Sequence, residues 1–191
     1  MKPIYGVGTN DSLTPVTWID PETGRRTTCP LYTTWRDMLR RCYSAEFQDE
    51  YPTYRGCCVA TEWHLFSTFR TWMESQPWSG LQIDKDVMFP GNKVYGPTTC
   101  VFITQTLNKL LLDRAAARGQ YPIGVNWHKA SGKFVAQCNI KGKRTHLGLF
   151  TDANEAHQIY RATKKLEIIE AALEQTDHRI IAGLLNHSDL V

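Results

Sequence analysis

Residues 121–155 have the sequence YPIGVNWHKASGKFVAQCNIKGKRTHLGLFTDANE, and their pattern predicts the fold of the last third of the chain. Two turn motifs, Ala130-Ser131-Gly132 and Lys141-Gly142-Lys143, separate three short stretches in which side chains alternate in character. Asp152 and Glu155 then have capping-box spacing for a long helix. The sequence therefore predicts a three-stranded antiparallel sheet packed on one long helix.

Alternation divides the strand residues between two faces of that sheet. One face is apolar, and we expect the long helix to cover it with Ala156, Ile159, Tyr160 and Leu166. The apolar face is expected to carry Val125, Trp127, Phe134, Ala136, Cys138, Ile140, Thr145, Leu147 and Leu149. The opposite face is expected to be exposed and to carry Asn126, His128, Val135, Gln137, Asn139, Arg144 and His146.

Positive charge is concentrated in the same segment. The whole chain has a net charge of +3, but residues 121–151 contain no Asp or Glu and hold Lys129, Lys133, Lys141, Lys143 and Arg144. Such a surface is typical of proteins that contact phosphates. Asn and Gln pair with adenine and Arg pairs with guanine in a major groove, whereas lysines on turns position the protein on phosphates. The alternative is an ordinary half-exposed sheet with a polar outer face.

Four short motifs in this segment resemble a known DNA-binding family. The motifs are Gly124-Val125, Gly132-Lys133-Phe134-Val135-Ala136, the run from His146 to Phe150, and Glu155-Ala156. They are similar to those of the plant ethylene-response-factor (APETALA-type) domain. That family reads the major groove with a three-stranded sheet, so the resemblance implies DNA contacts at Asn126, His128, Gln137, Asn139, Arg144 and His146. Several of these positions hold Arg or Trp in the plant domains, so the resemblance does not imply a target sequence.

The first two thirds of the chain predict a mixture of helices and short strands. Residues 1–30 are rich in turn formers and predict an arm or hairpin around Asp20-Pro21-Glu22-Thr23-Gly24. Helical spacing of apolar residues predicts a helix over about 32–43. A second helix is predicted over about 62–74, with Thr61 as its N-cap. Extended stretches at about 81–87 and 100–103 precede a third helix that starts near position 104.

This part of the chain resembles phage proteins of the HNH homing-endonuclease type. The similar segments are residues 35–43 (WRDMLRRCY), 51–54 (YPTY), 83–87 (IDKDV) and 95–100 (YGPTTC). The resemblance implies a bacteriophage origin, a location in the cytoplasm of the infected bacterium, and a site for one Mg²⁺ or Mn²⁺ ion. Asp84 and Asn108 take the metal-ligand positions of that family's strand–loop–strand–helix motif.

One catalytic position departs from the family pattern. The general-base position, a histidine in HNH enzymes, holds Lys85 in this chain. A lysine ammonium is protonated at neutral pH and does not accept a proton from water. The catalytic set implied by the resemblance is thus Asp84, Lys85 and Asn108, and its activity stays open.

These residues are consistent with three alternative roles. The first is a metal-dependent DNA endonuclease, and the second is a catalytically inactive HNH-like scaffold that binds DNA as a regulator. The third is an inhibitor that binds a host nuclease or defence complex, for which the tryptophan-rich first half would furnish an interface.

The expected architecture is α+β. An N-terminal HNH-like domain spans 1–112, a linker spans 113–120, the ethylene-response-factor-like domain spans 121–175, and a tail spans 176–191, with one short helix. The six cysteines show no C-x2-C spacing, so we expect reduced thiols and no structural zinc. No apolar run approaches the roughly 20 residues of a membrane span, so we expect no membrane partner.

Overall fold

A computed structural model describes residues 3–112 and 120–190. It divides the chain into two compact units, Met1–Thr104 and Gln105–Val191. Helices and several small sheets make up the two units, which confirms the predicted α+β class. The predicted linker lies, apart from Gln120, outside the described residues.

The first unit begins with a hairpin of β1 and β2, whose turn is closed by the Asp20 carboxylate through the backbone N–H groups of Glu22 and Thr23. Two further pairings follow: β3 with β5 in parallel, and β4 with β6 antiparallel. The elements are β1 (Thr17–Ile19), β2 (Arg26–Thr28), α1 (Pro30–Tyr43), α2 (Ala45–Glu50), β3 (Cys58–Val59), α3 (Phe66–Glu74), β4 (Gln82–Asp84), β5 (Val94–Tyr95) and β6 (Val101–Ile103).

Aromatic side chains fill the core of the first unit. Trp35 and Phe66 are fully buried, and Trp63 is 1% exposed. The indole N–H of Trp35 donates to the Trp63 carbonyl oxygen at 2.7 Å, so burial of this tryptophan leaves no unsatisfied donor. The predicted apolar side of α1 is confirmed, because Trp35, Leu39 and Cys42 are all buried.

The predicted start of the next helix is wrong. Thr61 lies in a 3-10 turn, Thr61–His64, and α3 begins only at Phe66. The cause is distant in sequence, because the N-terminal arm bridges to Leu65 at Thr9 and holds that residue extended. The N-cap residue, Leu65, has no capping side chain, and Asp11 supplies the acceptor from a distance: its carboxylate accepts from the backbone N–H of Ser67 at 2.8 Å and from the Ser67 hydroxyl.

The second unit contains the predicted sheet and helix. Its strands lie in the order β7-β8-β9, all antiparallel, and the sheet packs on α5. The Asp152 side chain accepts from the backbone N–H of Asn154 at 3.1 Å and caps α5. The elements are α4 (Gln105–Leu111), β7 (Val125–His128), β8 (Lys133–Ile140), β9 (Lys143–Phe150), α5 (Ala153–Leu173) and α6 (His178–Leu190).

The segment predicted as a tail is a full helix. The short helix expected there extends over 13 residues as α6, which lies against α5. Ile180 and Leu184 are buried on its inner side. Among the described residues, no helix is long and apolar enough to cross a membrane.

Small residues form the center of the second core. Val125, Ala136 and Ala156 are buried where the sheet meets α5, with Phe134 and Phe150 packed around them. The close packing of the sheet against α5 also requires a glycine at position 124, which has a φ of 79°. A Cβ there would lie 2.1 Å from a ring carbon of Tyr160.

Two expected partners of the sheet lie elsewhere on α5. Ile159 and Leu166 are 40% and 62% exposed, so the prediction that they cover the sheet is wrong. Ala156, Ile168 and Ala172 are the buried residues of this helix. Of these three, Ala156 packs in the core formed with the sheet.

A β-bulge changes which residues of β9 face outward. Ala136 pairs with Gly148, but the next residue, Gln137, pairs with His146, so Leu147 is an extra residue. Leu147 still packs on the helix-side core. Beyond the bulge the alternation is inverted, and Leu149 pairs with Val135 on the outer face. The prediction that Leu149 faces the helix is therefore wrong.

Candidate nucleic-acid interface

Pairing across the sheet arranges the predicted contact residues in four rows on the side away from α5, which we call the outer face. Directly opposed residues in an antiparallel sheet project to the same side. The rows are His128 with Lys133, Asn126 with Val135 and Leu149, Gln137 with His146, and Asn139 with Arg144. The structure thus brings together all six residues implied by the plant-domain resemblance.

Polar groups on the outer face are open to solvent. Six polar side chains of this face are exposed: Asn126, His128, Lys133, Asn139, Arg144 and His146. Within residues 3–112 and 120–190, neither Lys133 nor Arg144 forms a salt bridge with a carboxylate. Their charges are therefore not neutralised by a neighbouring acid in the described part of the chain, and they add to a positive potential over the sheet.

Two residues of the outer face are less accessible than the rest. Val135 is 8% exposed, so the prediction that it is exposed is wrong, and Gln137 is only partly exposed. Its side-chain oxygen Oε1 is buried and has no hydrogen-bond partner among the described residues. A buried amide oxygen without a donor is unfavourable by about 1–3 kcal/mol. This side chain gains stability from any ligand that draws it outward and supplies a donor.

The two turn lysines lie beside the outer face rather than on it. Lys141 has a φ of 49°, its backbone N–H donates to Glu167 at 2.9 Å, and its ammonium lies 3.5 Å from Glu170. Lys143 pairs with Ile140, which projects toward the helix side. Both side chains are exposed at the hairpin end and flank the sheet.

Leu149 is the outer-face residue that sequence reasoning missed. It is 41% exposed and stands between the polar rows next to Val135. One feature of the sequence indicated the bulge that places it there: Gly148 interrupts the strand pattern, and glycine inside a strand often marks a bulge. In the structure Gly148 has a φ of 145°.

Two of the three catalytic residues implied by the HNH resemblance, Asp84 and Lys85, have structural contacts in the first unit. Asp84 ends β4, and its Oδ1 accepts from the backbone N–H groups of Asp86 at 2.8 Å and Val87 at 2.7 Å. Burial raises the pKa of the Asp84 carboxyl, although these two hydrogen bonds oppose the rise. The carboxylate therefore closes the turn that follows the strand.

Lys85 is a buried cation that holds the loop between β4 and β5. The residue is 5% exposed, and its ammonium donates to both carboxylate oxygens of Asp86 at 2.7 Å and to the Asn92 carbonyl at 2.6 Å. The Asn92 amide donates back to the Lys85 carbonyl at 2.8 Å. This network uses the ammonium as a donor, which is the reverse of general-base chemistry.

The segment to which the HNH resemblance assigns a metal site contains two paired strands and a helix. The β4–β6 pair is antiparallel, and α4, which carries Asn108, follows directly in the chain. Asp84 belongs to the first unit and Asn108 to the second. Within the described ranges, no group of three or more His, Cys, Asp or Glu residues is arranged to hold a metal ion.

Comparison with known proteins adds no relative to this picture. The two resemblances stated above therefore depend on the quoted sequence motifs alone. No protein-family model, no curated protein and no solved structure matches this chain.

Proposed function

We propose that this protein binds double-stranded DNA by placing the outer face of β7, β8 and β9 in the major groove. The observation that carries the proposal is the row structure of that face, which holds no acid, exposes six polar residues and carries Lys133 and Arg144, neither of them paired with a carboxylate within the described residues. The major groove is wide enough, about 12 Å, for β-strands to enter. Sheet readers of the major groove are an established class.

The residue types assign different roles across the face. Arg144 suits a guanine edge, and Asn126, Gln137 and Asn139 suit adenine, because amides present a donor and an acceptor together. A base contact would also supply a donor to Gln137 Oε1, which has none among the described residues. Lys133 and the flanking turn lysines suit phosphates, which fix position without reading sequence.

Fluorescence anisotropy with labelled duplex DNA tests the proposal. We expect binding whose logarithmic affinity falls linearly with log salt, with a slope of about −0.9 per phosphate contact. Lys133→Ala is expected to reduce that slope by about one and to weaken all sequences alike. Arg144→Ala is expected to weaken a selected site more than random DNA, because it removes a base contact.

Arg179→Ala supplies a matched control for both variants. It also removes one exposed positive charge from the second unit, but from α6 rather than from the sheet. We expect its DNA affinity to match that of the wild type. Equal weakening by all three variants would show binding by net charge alone, and no binding at low salt would refute the function.

A second candidate is metal-dependent cleavage of the bound DNA. The observation that favours it is the antiparallel β4–β6 pair followed directly by α4, with Asp84 at the end of β4. Nicking of supercoiled plasmid in Mg²⁺ or Mn²⁺ is the assay. Asp84→Asn is the informative variant, because an asparagine oxygen can still accept from the turn N–H groups while the metal-binding charge is lost.

The outcomes separate the two roles. Cleavage that disappears in Asp84→Asn, with the thermal unfolding midpoint retained, supports an endonuclease. Cleavage that persists in this variant excludes Asp84 as a ligand. DNA binding without cleavage in either metal supports a regulator that lacks the reaction, and the proposed interaction with a host nuclease would then be tested by adding candidate nucleases.

A further inference from the structure

One side of α5 is apolar and exposed along its length. Ile159, Leu166 and Leu173 are 40%, 62% and 80% exposed, and they are spaced seven residues apart. Ala162 is exposed and Ile169 is partly exposed between them. We call these five residues the α5 stripe. The buried residues of the same helix, Ala156, Ile168 and Ala172, lie on its other side.

This spacing is that of a coiled-coil seam. Residues seven apart return to nearly the same side of a helix, with a drift of about 20° per heptad. Ile159, Leu166 and Leu173 take one core position of successive heptads, and Ala162 and Ile169 take the other. Large apolar side chains aligned over about 21 Å of helix surface favour burial against a partner.

We propose that the α5 stripe is the contact surface between two copies of this chain, with their α5 helices parallel. The flanking charges support a second copy. Lys165 and Glu170 lie on opposite sides of the stripe and are five residues apart. In a parallel two-stranded coiled coil this spacing places each lysine against the glutamate of the other helix.

The present partners of these two charges do not prevent the exchange. Lys165 pairs with Asp189 at 3.0 Å, and Glu170 pairs with Lys141 at 3.5 Å. All four side chains are substantially exposed, and surface pairs of this kind contribute little. New pairs between copies therefore replace old ones at small cost.

The size of the seam sets its strength. Two heptads with four large apolar residues per helix bury less than the roughly 1,200 Å² of a standard stable interface. We therefore expect a reversible dimer with a dissociation constant in the micromolar range rather than a permanent one. This inference does not depend on DNA binding, because the stripe and the outer face are on different elements.

Sedimentation velocity over a rising concentration series is the test. We expect the wild type to shift from monomer to dimer, and Leu166→Glu to remain monomeric, because it places two like charges in the seam. Leu13→Glu is the control, since Leu13 is 102% exposed on the N-terminal arm, outside the stripe. Both variants should melt like the wild type, because neither leucine is buried.

Charge reversal tests the parallel register. Lys165→Glu and Glu170→Lys should each weaken the dimer at low salt, and the double variant should restore it. A wild type that stays monomeric throughout the series overturns the proposal, as does equal dimerisation by Leu166→Glu. Single reversals that leave the dimer unchanged, or a double variant that does not recover, overturn the parallel arrangement.

Discussion

The two units of this protein use their side chains in opposite ways. The first buries tryptophans and phenylalanines and draws charged groups such as Lys85 into its interior, where backbone and carboxylate partners occupy them. The center of the second core, where the sheet meets α5, consists of valine and alanine, and Lys133 and Arg144 remain in solvent. Charge without a carboxylate partner among the described residues is available for a ligand, so the second unit is the better candidate for binding, although Asp84 and Lys85 of the implied catalytic set lie in the first.

The largest effect is expected from Trp35→Ala. This substitution empties the center of the aromatic core and removes the hydrogen bond to the Trp63 carbonyl, so it should lower the free energy of unfolding of the first unit by about 3–5 kcal/mol. Trp127 is the only tryptophan of the second unit and reports on that unit separately. Urea unfolding followed by tryptophan fluorescence and circular dichroism is the measurement.

A smaller change at Phe47 calibrates that result. Phe47 is only partly buried on α2, so Phe47→Ala should lower the free energy of unfolding clearly less than Trp35→Ala does. Equal costs for the two variants would contradict the view that the aromatic center of α1 and α3 dominates this core.

The next effect concerns Lys85. Lys85→Met keeps the apolar length of the side chain but leaves the Asp86 carboxylate and the Asn92 carbonyl without their ammonium donor. Because Asp86 is partly exposed, we expect a loss of about 1–3 kcal/mol, below the cost for a fully buried pair. Chemical denaturation measures it.

Lys93→Met is the matched control for Lys85→Met. Lys93 lies in the same loop and donates to the Thr53 carbonyl at 2.9 Å, but it is exposed. A nearly unchanged unfolding free energy is expected for this control. If Lys85→Met were equally neutral, the charged network would not hold the loop.

Sequence reasoning succeeded where the determinants are local. Gly132 and Gly142 mark the hairpin turns, and both adopt positive φ angles of 62° and 79°. Asp152 caps α5 as its spacing predicted. These features depend on the conformational preferences of one or two residues and on contacts within a single turn.

The failures share a different cause, because each depends on a distant partner. The start of α3 is set by Thr9, more than fifty residues earlier, and its cap comes from Asp11. Leu149 faces outward because the ladder with β8 contains a bulge. No periodicity within α3 or β9 encodes these contacts. The candidate outer face was predicted nearly complete: eight of its nine residues lie where simple alternation places them, and Leu149, beyond the bulge, is the exception.

A modest pH effect is expected at the cap of α3. Burial tends to raise the pKa of Asp11, but the hydrogen bonds from Ser67 outweigh it and hold this pKa below its usual value. The carboxylate therefore stabilises the fold above its unfolded pKa, and this contribution disappears as the pH falls through the lowered folded pKa. Asp11→Asn should have a lower thermal unfolding midpoint than the wild type at neutral pH. In strong acid the two proteins should have the same midpoint.

Asp20→Asn separates the helix cap from a general acid effect. The pKa of Asp20 is also lowered, chiefly by the backbone and hydroxyl hydrogen bonds of Thr23, but Asp20 acts only within the hairpin turn of β1 and β2. We expect its substitution to change the midpoint less than Asp11→Asn. A larger change would assign more stability to the hairpin than to the cap.

The smallest effect tests the residue that the bulge turned outward. If the outer face enters the major groove, the exposed Leu149 side chain is suited to contact a thymine methyl group, as apolar residues do there. Replacing thymine by uracil within a selected site removes one methyl, worth about 0.8 kcal/mol, so affinity should fall a few-fold for the wild type. Leu149→Ala should bind both duplexes equally, whereas Leu166→Ala on α5 should still discriminate. Equal discrimination by Leu149→Ala would place the groove contact on other rows of the sheet and leave this leucine as an ordinary exposed residue.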